Sequence, residues 1–247
     1  VTSLPALLTR LSSQSRPCLT WYTEDERVEL SGHVLDNWVT KTAHLLVDEL
    51  EVGPGRRLVV DLPAHWRGLV WSIAGLRVGA TVVGAAPGVV VTDSPDRWPD
   101  AADLVVVALP ALARTAGPVP PGAVDGNAAV MSYPDRPGPW APAAPEDLAL
   151  AEPPVPHAEL LAWAAAAVPA ARGGRVLAAG ADPTDLLAVT LAALAADGSV
   201  VLGSAEWAGT LLADAERRAR LVATERVDVD LLPDDPDLGA PRDTATS

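Results

Sequence analysis

Short runs rich in valine and leucine alternate along this chain with amphipathic helical patterns, and that alternation most limits the folds open to it. Arg57 to Leu62, Thr81 to Gly84, Val89 to Thr92 and Leu104 to Ala108 are too brief for helices and apolar on both faces, as strands buried beneath helices are. Between them, Ser31 is placed to cap a helix running toward Leu50, with Val34, Leu35, Trp38, Val39, Leu45 and Leu46 on one face, and Gly53-Pro54-Gly55 to stop it. A second helix is predicted from about His65 to Val78, with Trp66, Leu69, Val70, Ile73 and Leu76 inward. The pattern returns late in the chain. A helix near His157 to Val168 and a strand at Arg175 to Ala178 precede a helix capped by Asp182, begun by Pro183 and reaching Ala196. The turn Asp197-Gly198 then opens the strand Ser199 to Leu202, a helix is expected within Ala205 to Glu225, and a strand at Val227 to Leu231. The expected class is α/β, with layered sheets and flanking helices.

From Pro110 to Pro156 the chain changes character. Its repeated prolines lack the amide that an interior helix or central strand position must donate, so a long connecting segment is expected. This predicts one α/β domain over residues 1–232, with sub-lobes at about 1–110 and 155–232 joined by the proline-rich segment 111–154, and a flexible acidic tail at 233–247.

A formal charge of −14 opposes a phosphate backbone, and nucleic acid is not an expected partner. Arg217, Arg218 and Arg220 form the densest basic patch, but Asp214 and Glu216 share their helical pattern, so a solvated face is expected there. Cys18 stands alone, and no His/Cys spacing suits zinc, so neither an intramolecular disulfide nor a metal is expected, nor any cofactor. Apolar runs such as Leu186 to Ala196 fall short of a membrane span, and no signal segment is evident, so a cytoplasmic protein is expected.

Familiar catalytic signatures fail. Gly53-Pro54-Gly55 precedes a strand instead of opening a helix and lacks the third glycine of a dinucleotide fingerprint. Lys41, the sole lysine, lies within a helical pattern with no glycine loop before it, and no serine is flanked as in a nucleophile elbow.

Leu19-Thr20-Trp21-Tyr22, the helix to Leu50, Gly53-Pro54-Gly55-Arg56-Arg57, the strand to Pro63, the stretch Leu76 to Val83 and the strand Val89 to Asp93 occur in a recognisable order. Together they resemble the N-terminal region of the adenylate-forming enzymes, the acyl-CoA synthetase and adenylation-domain superfamily. The chain is similar, more narrowly, to a family of short actinobacterial proteins of unknown function built on that region. In the enzymes, a segment like Pro145 to Leu150 leads into a Gly/Ser/Thr-rich loop ending in Pro-Lys-Gly, and then into a helix that starts like His157 to Leu161. Here only Ala151, Glu152, Pro153, Pro154, Val155 and Pro156 stand between. Backbone amides and small hydroxyls are what can cradle a triphosphate; these prolines have no amide to offer, and Glu152 repels. The later adenine-side motif, the ribose-binding aspartate and the small C-terminal domain with its catalytic lysine also have no counterpart in this sequence. The resemblance thus implies a degenerate AMP-binding-like protein, a pseudoenzyme without ATP-dependent carboxylate activation.

Three residues remain as candidates for ligand binding, and none as catalytic. His65 and Trp66 follow a strand, where α/β sheets bind ligands, although Trp66 also fits the inward stripe of its helix. His157 opens a helix as in the enzymes, or makes a local hydrogen bond there. Arg172-Gly173-Gly174-Arg175 is an anion-holding turn or a plain helix cap. Three functions stay open: a non-catalytic binding, regulatory or scaffolding protein; a small-ligand binder for an acyl group, AMP or CoA; and an enzyme of unrelated chemistry on the same scaffold. Self-association or a protein partner would suit the surface that the enzymes' C-terminal lobe covers.

Overall fold

The structure is a computed structural model, and it describes residues 3–85, 88–167 and 173–233. The expected tail, from residue 234 onward, and Arg172 and Val168 lie outside the described residues. In chain order, α1 (Leu4–Leu11), β1 (Pro17–Tyr22), β2 (Arg27–Ser31), α2 (Gly32–Asp48), β3 (Arg57–Asp61), α3 (Trp66–Arg77), β4 (Thr81–Val83), β5 (Val89–Thr92) and β6 (Leu104–Val106) come first. The proline-rich stretch carries β7 (Val124–Asp125), α4 (Gly126–Val130), β8 (Leu148–Leu150) and β9 (Val155–Pro156). Then follow α5 (Leu160–Ala167), β10 (Arg175–Ala179), α6 (Pro183–Ala195), β11 (Ser199–Gly203), α7 (Ala205–Ala213), α8 (Ala215–Glu225) and β12 (Val229–Asp230).

These strands form two sheets, ordered β12-β10-β11-β1-β2 and β7-β6-β5-β3-β4-β8-β9. Both are parallel except at one edge each, where β2 and β9 run antiparallel to their neighbours. Side chains alternate as the pleat requires. Val89 and Val91 face the core between the sheets while Val90 faces outward, and Val200 and Leu202 face inward while Val201 meets Trp207 and Leu211 outside. α2 and α6 pack on the five-stranded sheet, α3 packs on the seven-stranded one, and α3 touches both other helices. Helices therefore fill the space between the sheets, and α3 is buried on every side from Trp66 to Leu76. Each Leu or Ile sealed there contributes about 1.5–3 kcal/mol. Gly75 lets α3 approach β3 closely, because a Cβ at that position would stand 2.4 Å from Leu58 Cδ2.

The expected caps form: Ser31 Oγ accepts from the Val34 amide at 3.2 Å, and Asp182 Oδ1 from Thr184 at 2.7 Å. Val34 departs from the expected buried stripe and is 38% exposed.

The proline-rich segment carries more structure than its composition implies. Leu148–Leu150 is free of proline and inserts between β4 and β9, while Pro156 lies on the edge strand, where its missing amide costs no ladder bond. The stretch after α4 is strapped to α2: Lys41 Nζ donates to the Tyr133 carbonyl, Tyr133 donates to Glu49 Oε1 at 2.7 Å, and Trp140 lies under the Arg77 guanidinium at 5.3 Å.

The helix expected within Ala205 to Glu225 is two helices. Asp214 adopts an extended backbone and caps α8 by accepting from the Arg217 amide at 2.9 Å. Nor is the arginine patch on α8 simply solvated. Arg218 turns inward to Asp230 at 2.8 Å and to the carbonyls of Leu232 and Pro233, while Arg217 pairs with Glu24 at 3.1 Å.

Candidate functional site

Parallel strands bring their carboxyl ends, and the loops after them, to one edge of a sheet. Here both sheets do so at the same place, around an open cleft of about 510 Å³. β1 supplies Trp21 and, just beyond it, Thr23; the loop after β3 supplies Pro63, Ala64 and His65; Leu109 and Pro110 follow β6; Gly180 and Ala181 follow β10; and Ser204, Ala205 and Glu206 follow β11. Glu26, from the β1–β2 turn, completes the rim.

His65 is the N-cap of α3. Its Nδ1 accepts from the Arg67 amide at 3.1 Å, which leaves the ring proton on Nε2. The ring is 7% exposed, packs edge-on against Trp21 at 4.9 Å and stands 5.8 Å from Trp66. Burial, helped by the nearby Arg67 charge, pushes its pKa down to about 3, so the imidazole is neutral at physiological pH.

Arg67 builds the wall beside it. Its guanidinium lies 4.6 Å from the Trp66 ring centroid and donates to the carbonyls of Leu109, Pro110 and Ala111 at 3.2 to 3.3 Å. Burial lowers the pKa of this guanidinium, and the Glu26 carboxylate partly restores it. Glu26 in turn accepts from the Ala111 amide at 3.1 Å, and Asn127 holds the Ala108 and Ala113 carbonyls, both at 3.0 Å.

Of the residues singled out from sequence, only His65 lines the cleft. Trp66 points elsewhere, into a small, partly open pocket of about 10 Å³ shared with Trp38, Asn127 and Val130; its Nε1 has no partner among the described residues. That volume is about what one water needs. His157 sits at the opposite end of the strands, near Gly79 and Ala80 before β4, with burial lowering its pKa. Arg175 is not turned out to hold an external anion: it turns inward to Thr20 Oγ1 at 2.8 Å and to the carboxylate of Glu225. Cys18 is buried, and burial pushes its thiol up to about 12. Among the described residues no group of His, Cys, Asp and Glu is arranged to hold a metal ion, and no helix is long and apolar enough to cross a membrane.

Trp21, Glu26, Leu109, Ser204 and Glu206 line the cleft without having been singled out. The available signal was the rule that strand carboxyl ends gather at one edge, applied to every strand instead of to β3 alone.

β8 and β9 form a tight hairpin, with Leu148 opposite Pro156 and Leu150 opposite Val155, and the Ala151 amide donates to the Val82 carbonyl at 3.1 Å. Its turn contains Pro153 and Pro154, which offer no amide, beside the carboxylate of Glu152.

Among solved structures, the fatty acid AMP ligase from Legionella pneumophila superposes with a TM-score of 0.64 at 14% identity, covering 93% of this chain and 44% of the ligase. Brucella canis acyl-CoA synthetase gives 0.66 at 17% identity, covering 93% of this chain and 47% of that enzyme. An anthranilate CoA ligase in complex with anthranoyl-AMP gives 0.65 at 15%, covering 87% and 48%. The chain thus has the fold of the N-terminal portion of adenylate-forming ligases and spans under half their length. No protein-family model matches it. A protein of Mycobacterium tuberculosis (strain ATCC 25618 / H37Rv) described as a TIGR03089 family protein is 34% identical over 201 residues, covering 78% of this chain and 74% of its own length. With that identity over most of both sequences, the chain belongs to the TIGR03089 family.

Proposed function

We propose that this chain is a non-catalytic relative of the adenylate-forming ligases that holds a small, largely apolar molecule in the cleft at the carboxyl ends of its two sheets. One observation carries the reading: the cleft is walled by Trp21, Pro63, Leu109 and Pro110, and the charged side chains lining it are the carboxylates of Glu26 and Glu206. A triphosphate placed there would meet negative charge, in an edge where apolar walls weaken screening. The prolines of the β8–β9 turn add to this, since a phosphate cradle is built from amides. Against unrelated hydrolytic chemistry, the rings of His65 and His157 bond no hydroxyl or carboxylate among the described residues.

The test is a melting series with ATP, AMP and straight-chain amides, esters and carboxylates, run beside an ATP–pyrophosphate exchange assay. A compound at 100 times its dissociation constant adds about 2.7 kcal/mol of native-state stability. The expected result is a saturable rise with an apolar compound, abolished in Ala181→Trp, which fills the cleft from an exposed position, and no exchange. Carboxylate-dependent pyrophosphate exchange would overturn the non-catalytic reading; no shift with any compound would overturn the ligand-binding one.

A further inference from the structure

The cleft holds a hydrogen-bond donor that the fold itself leaves unused. Nδ1 of His65 is committed to the Arg67 amide at 3.1 Å, so Nε2 bears the proton; the ring lines the cleft, and among the described residues no protein group accepts from Nε2. The ring cannot readily swing to find one. It is pinned edge-on against Trp21 at 4.9 Å, flanked by Trp66, and tied by its capping bond to the first turn of α3. Nε2 is not among the sealed, partnerless polar atoms, so on this otherwise buried side chain it is still reached from the cleft and can exchange water for a ligand's acceptor.

The charges around the cleft decide what kind of acceptor fits. Glu26 is fixed there by the Ala111 amide at 3.1 Å, and Glu206 stands in the first turn of α7. An anion would be drawn toward the N-terminus of α3 and toward Arg67, but His65 already occupies the Arg67 amide, the Arg67 guanidinium is engaged by the carbonyls of Leu109, Pro110 and Ala111, and the two carboxylates repel it. An imidazolium would reverse this preference, and burial keeps the ring from becoming one.

We propose that the cleft recognises an uncharged ligand through a carbonyl docked on the Nε2–H of His65, its apolar body lying against Trp21, Pro63 and Leu109, and that it rejects the corresponding carboxylate. The ligand class is thus a neutral amide, ester or lactone, not a free acid. This rests on the cleft being a ligand site, as proposed above.

The test compares the amides from butanamide to decanamide with the matching carboxylates at pH 7.5, by calorimetry and by long-range proton–nitrogen spectra of the full chain labelled in histidine. The four histidines are few enough for the ring of His65 to be assigned by its loss in His65→Thr, which retains a hydroxyl able to cap α3. In the free protein the ring of His65 should show a protonated Nε2 and a bare Nδ1. At least one amide should bind about tenfold more tightly than its carboxylate, shift the Nε2 resonance, and lose about that factor in His65→Thr, the scale of one hydrogen bond. Equal binding of acid and amide, an unmoved Nε2 resonance during saturable binding, or a proton on Nδ1 would each overturn the proposal and leave the ligand cleft standing. If neither series binds and the other compounds of the melting series also fail, the ligand cleft falls, and this proposal with it.

Discussion

Arg175, at the head of β10, closes an ion pair on Glu225, the last residue of α8, and both side chains are sheltered from solvent. The same carboxylate accepts from Tyr22 and from Arg27, whose Nη2 lies 3.0 Å away, so one acidic group ties β1, β2, β10 and α8 together.

Glu225→Gln should therefore destabilise the fold by ~3 kcal/mol, since it strands a sheltered guanidinium. Burial alone would raise the pKa of Glu225, but the bonds from Tyr22, Arg175 and Arg27 outweigh it and hold it below the ordinary value. A carboxyl lowered in the folded state lends stability that is fully present above its unfolded pKa, about 4.3, and lost as pH falls through the folded one. Urea midpoints from pH 6 to pH 3 should fall in the parent and fall less in the variant.

His65 gives a second acid dependence in a different window. With its pKa near 3 in the fold, the unfolded chain takes up this proton first as pH drops below about 6.5. Stability should decline between those values by up to ~1.4 kcal/mol per pH unit from this group alone. His157, also lowered by burial, adds in the same direction. His65→Thr should flatten the slope between pH 6.5 and pH 4.5, and adding His157→Gln should flatten it further, as read by urea unfolding.

Arg67→Met keeps an apolar stem between Trp38 and Trp66 but releases the carbonyls of Leu109, Pro110 and Ala111. A loss of ~2–3 kcal/mol is expected from charge-assisted bonds of this kind. Amide exchange should accelerate at Ala111 and Ala113 well before it changes in β3, and that contrast separates a loosened cleft wall from general destabilisation.

Gly203→Ala should cost ~1–3 kcal/mol by overpacking. A Cβ there would sit 2.0 Å from Trp207 Cε3, and Trp207 stacks on Tyr22 with ring centroids 5.0 Å apart. Near-ultraviolet circular dichroism should report the displaced pair.

Much of this fold can be read locally. Ser31 and Asp182 announce their helices, and the doubly apolar runs at Leu58, Val89 and Leu104 announce strands buried on both faces. What escapes is what local pattern does not carry. β2, with its mostly solvent-facing residues, lacks an apolar run, and Asp214 looks like any polar residue within a helical stretch; α1, by contrast, is legible locally, with Ser3 as its cap, Pro5 in its first turn and Leu4, Leu7, Leu8 and Leu11 on one face. The cleft divides the same way. His65 announces itself by following a strand, whereas Trp21 and Ser204 become neighbours only because β1 pairs with β11. Nothing in either segment names the other.

That pairing sets an order of events. Leu19 lies beside Val200 and Trp21 beside Leu202, so the inner edge of β1 gains its partner only when nearly all of the described chain has been made. A ribosome releasing this protein residue by residue exposes an apolar strand early and supplies its cover late, with the whole seven-stranded sheet synthesised in between. Sheets closed by such distant partners form slowly and leave an edge open to other chains meanwhile. The architecture that brings two sets of strand ends to one cleft therefore also leaves that edge of β1 without its partner until β11 has been made.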